Sequence, residues 1–231
     1  MKSFCYILLI AISIVRALLV NNIEEYPAPS FSVRRQIGKI LEKEGLKRGA
    51  ELGVQSGKFA RITLESWSSC TYYLLVDIWA QQENYIDGAN VAQDKQDLLV
   101  EKTSENVKKF GSKVHWCRNY TSVCVLKVAD ASLDYVYVDA RHDYKGALED
   151  IKSWWDKIRP GGLMCGHDFV YNSEVQLVQP NVDYSINYDG TKDEKGRAVR
   201  GAVEEWAALT RRTLSTGSSK KEYWKSWCIR R

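Results

Sequence analysis

Apolar and polar positions follow a regular order from residue 45 to residue 166. Short apolar runs of strand length alternate with stretches in which apolar residues recur at helical spacing. The predicted strands are 49–54, 72–77, 113–117, 133–139 and 162–166, and the predicted helices between them are 58–66, about 95–110, about 120–128 and 144–158. This alternation predicts an α/β domain with a mainly parallel sheet and helices on both faces.

The segments on either side extend this pattern. Val33, Ile37 and Leu41 recur at helical spacing and predict a leading helix, which Gly45 ends. The C-terminal half is predicted to contain a turn at 159–162, a long loop at 169–198, a helix through Val199 and Leu209, and a closing antiparallel hairpin of strands 213–215 and 222–229. Tyr171, Tyr184 and Tyr188 lie in the long loop, where they would either pack or contribute to a binding lid.

The first 22 residues form a separate segment. A basic start at Lys2 precedes an apolar run over 4–15, and Val15-Arg16-Ala17 offers a cleavage site, as in a signal peptide. If the helix continues past Arg16 to Val20, the segment is an uncleaved signal anchor, and a soluble packing helix is the third alternative. We therefore expect a signal peptide or signal anchor at 1–22, a single domain at 23–231, and a secretory or membrane-anchored rather than cytoplasmic location.

Composition narrows the class of protein. Hydrophobic residues make up 45% and charged residues 27%, which excludes a disordered, collagen-like or multi-spanning membrane protein. The net charge is +4, and the excess of basic residues lies in 210–231, so no nucleic-acid partner is expected. That basic end would meet anionic lipid if the N-terminal segment associates with a membrane. The oligomeric state is left open.

The cysteines predict no disulfide framework. Six are scattered along the chain without a C-x-x-C pair, and removal of the leader with Cys5 leaves an odd number. We therefore expect buried thiols. The sequon at 119–121 would matter only if the chain enters the secretory pathway.

Polar residues gather at the predicted strand ends, where ligands bind in open α/β sheets. After strands one to five, in order, these are Glu51 with Gly53 and Gly57; Asp77; Asn119 with Tyr120; Asp139 with His142; and His167 with Asp168. The glycines bracket a turn whose backbone N–H groups can approach a ligand, although an ordinary strand-to-helix turn looks the same. The carboxylate of Asp77 could accept hydrogen bonds from two ribose hydroxyls, or alternatively it could cap a helix.

These motifs resemble those of class I S-adenosylmethionine-dependent methyltransferases, in particular the methyltransferase domain 24 group. The resemblance is carried by E-x-G-x-x-x-G at 51–57, Asp77, D-x-x-H-x-Y at 139–144 and P-G-G-x-x-x-G-H-D at 160–168. It covers about 35–229 and implies a Rossmann-like fold with a seven-stranded, mostly parallel sheet. It also implies transfer of a methyl group from S-adenosylmethionine, with a hydroxyl of a small molecule as the expected acceptor.

The resemblance also implies roles for individual residues. Glu51, Gly53 and Gly57 would face the methionine end and the sugar of the cofactor, Asp77 the ribose, and Asn119 with Tyr120 the adenine. His142 stands where related enzymes carry the catalytic base, and a neutral imidazole can accept a hydroxyl proton. A lone histidine that only bonds across the loop is the alternative.

Metal assistance is also implied. Asp139, His167 and Asp168 match the positions at which metal-dependent relatives hold Mg²⁺, although His167 stands where an acid is usual. An imidazole ligand suits another divalent metal better than Mg²⁺. Three other functions remain open: a non-methylating, hydroxylase-like metal enzyme of the same branch, a nicotinamide-dependent oxidoreductase, and a binding module without activity.

Overall fold

The computed structural model describes residues 27–231. The predicted signal peptide or anchor at 1–22 lies outside the described residues. Within 27–231, no helix is long and apolar enough to cross a membrane.

Helices and strands alternate as the sequence predicts. The strands are β1 Arg48–Leu52, β2 Tyr72–Asp77, β3 Val114–Arg118, β4 Leu133–Val138, β5 Ile158–Gly166, β6 Leu214–Thr216 and β7 Trp227–Arg230. The α-helices are α1 Ile37–Lys43, α2 Lys58–Ser66, α3 Gln93–Val107, α4 Thr121–Cys124, α5 Tyr144–Trp155, α6 Asn172–Gln176 and α7 Ala198–Thr210. Short 3-10 helices lie at Arg34–Gln36, Lys108–Lys113 and Val125–Lys127.

The strands form one seven-stranded sheet in the order β3-β2-β1-β4-β5-β7-β6. The first five strands are parallel, and β7 lies antiparallel between β5 and β6. This arrangement confirms the predicted mostly parallel sheet with a closing antiparallel hairpin. The chain order reverses between β1 and β4, and in open α/β sheets this is where ligands bind.

Successive side chains of the central strands enter two separate cores. Val136 and Val138 of β4 face one core, which α5 and α7 cover, whereas Tyr135 and Tyr137 face the other, which α1 and α2 cover. Because successive side chains of a strand point to opposite faces, a strand that is covered on both faces has all of its side chains buried. This explains why β4 has every residue buried.

Two local predictions need correction. The predicted turn at 159–162 is wrong, because β5 already begins at Ile158 and these residues form a bulge beside β4. Gly161, with φ of +80°, and Gly162, on which a Cβ would lie 2.5 Å from Ile158, make this bulge possible. The predicted loop at 169–198 contains the short helix α6, which packs into a small apolar cluster of its own.

The expectation of buried thiols is wrong for four cysteines. Cys117 and Cys124 form one disulfide, and Cys165 and Cys228 form another, whereas Cys70 is free and buried. Cys165 and Cys228 are 63 residues apart in sequence but direct partners on neighbouring strands β5 and β7. Only the tertiary register brings them together, so their spacing carries no signal.

Candidate active site

A deep cleft opens at the carboxyl ends of the strands. Its cavity volume is about 1000 Å³, and its walls come from the ends of β1 to β5, the loop 78–92 between β2 and α3, and the loop 167–197 between β5 and α7. Every predicted site residue except Gly57 lines it: Glu51, Gly53, Asp77, Asn119, Tyr120, Asp139, His142, His167 and Asp168. Residues from five separate strand ends therefore share one cavity.

Gly53 and Gly57 shape the turn after β1 in different ways. Gly53 has φ of +80°, and a Cβ there would lie 1.9 Å from the carbonyl oxygen of Asp139. A side chain at Gly53 would therefore force β1 and β4 apart at the cleft floor. Gly57 caps α2 in the left-handed conformation, and a Cβ there would lie 2.9 Å from Thr103 of α3. Gly57 thus allows close helix packing and does not line the cleft.

Asp77 holds the glycine turn. One oxygen of its carboxylate accepts hydrogen bonds from the backbone N–H groups of Val54 and Gln55, each at 2.8 Å, and the other accepts one from Trp79 at 2.8 Å. A carboxylate offers about four acceptor positions, so a ligand hydroxyl can still be bound. Asp77 therefore fixes the backbone around the cleft in addition to facing it.

Glu51 forms part of the floor of the cleft and is buried. The hydroxyl of Tyr73 donates to its carboxyl group at 2.8 Å. Burial raises the pKa of Glu51 to about 8. The side chain is therefore a neutral acid at neutral pH in the free protein.

His142 lies among acidic groups at the other end of the cleft. Its Nε2 is 2.9 Å from a carboxylate oxygen of Asp168 and 3.6 Å from one of Asp139. Asp139 also faces Arg34, whose guanidinium is 3.4 Å away. His167 lies beside the group, with Nδ1 3.1 Å from Asp168. The ends of β4 and β5 thus place two carboxylates against one imidazole nitrogen.

The second nitrogen of the His142 ring faces the two loops that cover the cleft. Nδ1 lies 3.2 Å from a carboxylate oxygen of Asp87 and 3.1 Å from each of the hydroxyls of Tyr85 and Tyr184. The hydroxyl of Tyr184 also donates to Asp87, so the loops 78–92 and 167–197 meet above the ring. The position of the ring is fixed from both sides.

The charges around His142 decide its protonation state. Burial alone would lower the pKa of His142, but Tyr85 and the carboxylates of Asp168 and Asp139 raise it well above the usual value. Burial would likewise raise the pKa of Asp168, yet His142 and His167 hold it well below the usual range. The predicted base is therefore an imidazolium in the free protein and must release a proton before it can accept one.

The donor set fits a divalent cation. One ligand atom from each of Asp139, His142 and Asp168 lies within 4.8 Å of the others. Within residues 27–231, these three residues form the group of side chains that could hold a metal ion. The Nε2 atom of His142 is buried and lacks a hydrogen-bond partner of good geometry, so it can coordinate a cation once the ring has lost its proton. His167, which the sequence places in the metal set, lies beside this group and is not one of its members.

Several lining residues carry no signal in the sequence. Arg34 belongs to the leading helical segment, in which only the apolar positions indicate a structure. Tyr85 and Asp87 lie in the irregular loop 78–92. Asp150 lies within α5, where an acidic residue on a helix predicts only a solvated face. Tyr184 is the exception, because the length of its loop already indicates a binding segment.

Comparison with known proteins agrees with this geometry. The family model for methyltransferase domain 24 matches residues 50–169, which is just over half of the chain. No curated protein sequence matches the chain significantly.

Solved structures show the same fold. The O-methyltransferase from Bacillus cereus, in complex with SAH, has a TM-score of 0.57 at 12% identity, over 95% of this chain and 89% of that one. TomG from Streptomyces achromogenes, an O-methyltransferase of tomaymycin synthesis in complex with SAM, has a TM-score of 0.56 at 13% identity, over 85% and 78%. The chain belongs to the methyltransferase domain 24 family, and is thus a class I S-adenosylmethionine-dependent methyltransferase.

Proposed function

We propose that the protein transfers the methyl group of S-adenosylmethionine to a hydroxyl oxygen of a small molecule. The observation that carries this proposal is the position of His142, Asp139 and Asp168 at one end of the cleft that the predicted cofactor residues line. Both similar structures named above are O-methyltransferases. The loops 78–92 and 167–197 meet over His142 and cover this end of the cleft, which favours a small acceptor over a macromolecule.

The cofactor extends across the strand ends in this proposal. Adenine lies near Asn119 and Tyr120, the ribose hydroxyls near Asp77, and the methionine part near Gly53 and Glu51. This order follows the strands β3, β2 and β1 and brings the sulfonium towards the end of β4, where Asp139 begins the acidic group. The acceptor then enters beneath the two loops that meet at Tyr184 and Asp87.

His142 is the base in this mechanism. The acceptor oxygen attacks the methyl carbon, the bond between carbon and sulfur breaks, and its electron pair stays on sulfur, which gives S-adenosylhomocysteine. The hydroxyl proton moves to His142 Nε2, which requires that the imidazolium first release its own proton to the solvent as the acceptor enters. Asp87, Tyr85 and Tyr184 keep the ring oriented during this exchange.

As an alternative to this base mechanism, Asp139, His142 and Asp168 would hold a divalent cation, and His142 Nε2 would then be a metal ligand and not the base. The protonated form of His142 competes with such a cation for the two carboxylates. A cation bound there would stabilise negative charge on the acceptor oxygen. Because an imidazole nitrogen joins two carboxylates, a transition metal suits the set better than Mg²⁺. Asp139 and Asp168 then serve either as metal ligands or as the counter-ions of His142.

The test is methyl transfer itself. The full chain is incubated with S-adenosylmethionine labelled in the methyl group and with panels of phenols, sugars, hydroxy acids, amines and thiols, before and after treatment with a chelator. Label in an ether product supports O-methylation, and label in an N-methyl or S-methyl product contradicts it. Full activity after chelation would rule out a metal. Proton transfer to His142 and the positioning of the acceptor would then remain as the mechanism.

We also propose that the chain enters the secretory pathway through residues 1–22. The two disulfides support this, because disulfides persist mainly in oxidising compartments. Protease protection in microsomes tests it: the full chain is expected to be protected, and a chain that starts at residue 23 is the control. Complete digestion of the full chain in intact microsomes would contradict the proposal.

A further inference from the structure

Asp150 is a buried carboxyl group that the mechanism does not use. It lies on α5, is 4% exposed and lines the cleft. The other buried aspartates of residues 27–231 each contact a basic side chain: Asp134 contacts Arg159, Asp143 contacts Arg141, Asp168 contacts His142, and Asp193 contacts Arg197. Among the described residues, Asp150 has no such partner within ion-pair distance.

The only side-chain hydrogen bond to Asp150 in the described chain comes from the hydroxyl of Thr121, which donates to Oδ1. Oδ2 accepts none. Burial raises the pKa of Asp150 to about 7, which shows how poorly the site solvates a negative charge. Burial of a carboxyl group without a matching donor is costly, so a free acceptor at the wall of a cleft points to a donor supplied by a ligand.

The position of Asp150 identifies that donor. The wall around it includes Asn119, Tyr120 and Thr121 from the loop after β3, at the opposite end of the cleft from the base at His142. In the proposed function, on which this inference rests, adenine occupies this end. Of the groups on adenine, the exocyclic amino group is the one that carries hydrogen-bond donors.

We propose that Asp150 binds the exocyclic amino group of the cofactor's adenine through Oδ2, and that Thr121 orients its carboxyl group by holding Oδ1. Asp150 is then a residue that determines cofactor specificity. A purine with an oxo group at the same position presents an acceptor instead of a donor, and the carboxylate repels it. A purely structural role, in which Asp150 only ties α4 to α5, gives no such discrimination.

Calorimetric titration of the full chain with two ligands tests the proposal, at a pH above the Asp150 pKa of about 7 so that the carboxyl group is ionised. The ligands are S-adenosylhomocysteine and its deaminated analogue S-inosylhomocysteine, in which an oxo group replaces the amino group and N1 carries a proton. The wild-type protein is expected to prefer the adenosyl ligand by about 10- to 100-fold, the range for a hydrogen bond to a charged group. Asp150→Asn is expected to remove most of this preference, because an amide can both donate and accept.

Glu149→Gln is the matched control, since Glu149 is an exposed neighbour that also lines the cleft. It should keep the wild-type preference. Equal binding of both ligands by the wild-type protein would overturn the inference. An unchanged preference for the adenosyl ligand in folded Asp150→Asn would also overturn it. If the folded wild-type protein binds neither ligand, the proposed cofactor site fails as well, which distinguishes the two failures.

Discussion

Nε2 of His142 lies 2.9 Å from a carboxylate oxygen of Asp168, although the two residues follow different strands and are separated by the whole of α5. The contact exists because β4 and β5 are parallel neighbours whose carboxyl ends coincide. Asp168 reaches this position with φ of +47°, which is uncommon for a residue other than glycine. Strained backbone conformations of this kind cluster at active sites and ligand-binding segments.

Replacement of His142 separates catalysis from cofactor binding. We expect His142→Ala to lower the rate of methyl transfer by about 10²- to 10⁴-fold, because a positioned base contributes that much. Affinity for S-adenosylhomocysteine should change little. Kinetics with an identified acceptor, together with calorimetry, measure both quantities.

His115→Ala is the control for this prediction. His115 lies on the edge strand β3, stacks on Tyr72 and is not among the residues that line the cleft. Its loss should leave the rate unchanged. A His142→Ala protein that keeps the wild-type rate would remove His142 from the role of base.

Asp77 should contribute to cofactor affinity in two ways, through the ribose and through the turn that it holds. We expect Asp77→Ala to weaken binding of S-adenosylhomocysteine by roughly 1.5–3 kcal/mol, the value for a hydrogen bond to a charged group. Asp97→Ala, on an exposed aspartate of α3 outside the cleft, is the control. Unchanged affinity in folded Asp77→Ala, measured by calorimetry, would exclude Asp77 from the site.

The neutral form of Glu51 predicts a dependence of stability on pH. Its pKa rises from the ordinary 4.5 to about 8 on folding, so between these values the folded state holds a proton that the unfolded state has released. The free energy of unfolding therefore falls as pH rises through this window, by at most about 1.4 kcal/mol per pH unit from this group.

Glu51→Gln should make that fall shallower, because the amide still accepts the hydrogen bond from Tyr73 but does not titrate. Urea denaturation of both proteins between pH 5 and 8 measures the difference. Identical slopes for wild type and Glu51→Gln would mean that Glu51 is ionised in the folded protein, contrary to the effect of its burial.

The disulfide between Cys165 and Cys228 should stabilise the closing hairpin. It links strands across 63 residues of sequence, and cross-links of this kind contribute about 2–4 kcal/mol. We expect Cys165→Ala combined with Cys228→Ala to lose about that much stability in urea denaturation. Treatment of wild type with a reductant also opens the disulfide between Cys117 and Cys124, so the loss should be at least as large. No loss in the double variant would contradict the bond between Cys165 and Cys228.

Local patterns in the sequence predict much of the fold. The apolar periodicity gives α2 at 58–66 and β2 at 72–77 with their observed bounds, because both elements bury a regular face. The bulge at 159–162 cannot be predicted from the local sequence in this way, because Pro160 and the two glycines suit a turn as well as a bulge. Only pairing with β4 decides between the two.

The site is predictable where it depends on strand ends. Asp139 and Asp168 directly follow strands, so their convergence follows from a parallel sheet. Asp87 and Asp150 could not be found in this way, because one lies in an irregular loop and the other on a helix. The raised pKa of His142 also depends on residues distant in sequence, and Asp168 is one of them.

A crystal structure of the full chain with S-adenosylhomocysteine is the decisive experiment on the proposed site. We expect one ligand in the cleft, with its ribose at Asp77 and its sulfur directed to the group of Asp139, His142 and Asp168. A ligand in the reverse orientation, or a folded protein whose cleft does not take up the ligand at saturating concentration, would exclude the proposed arrangement.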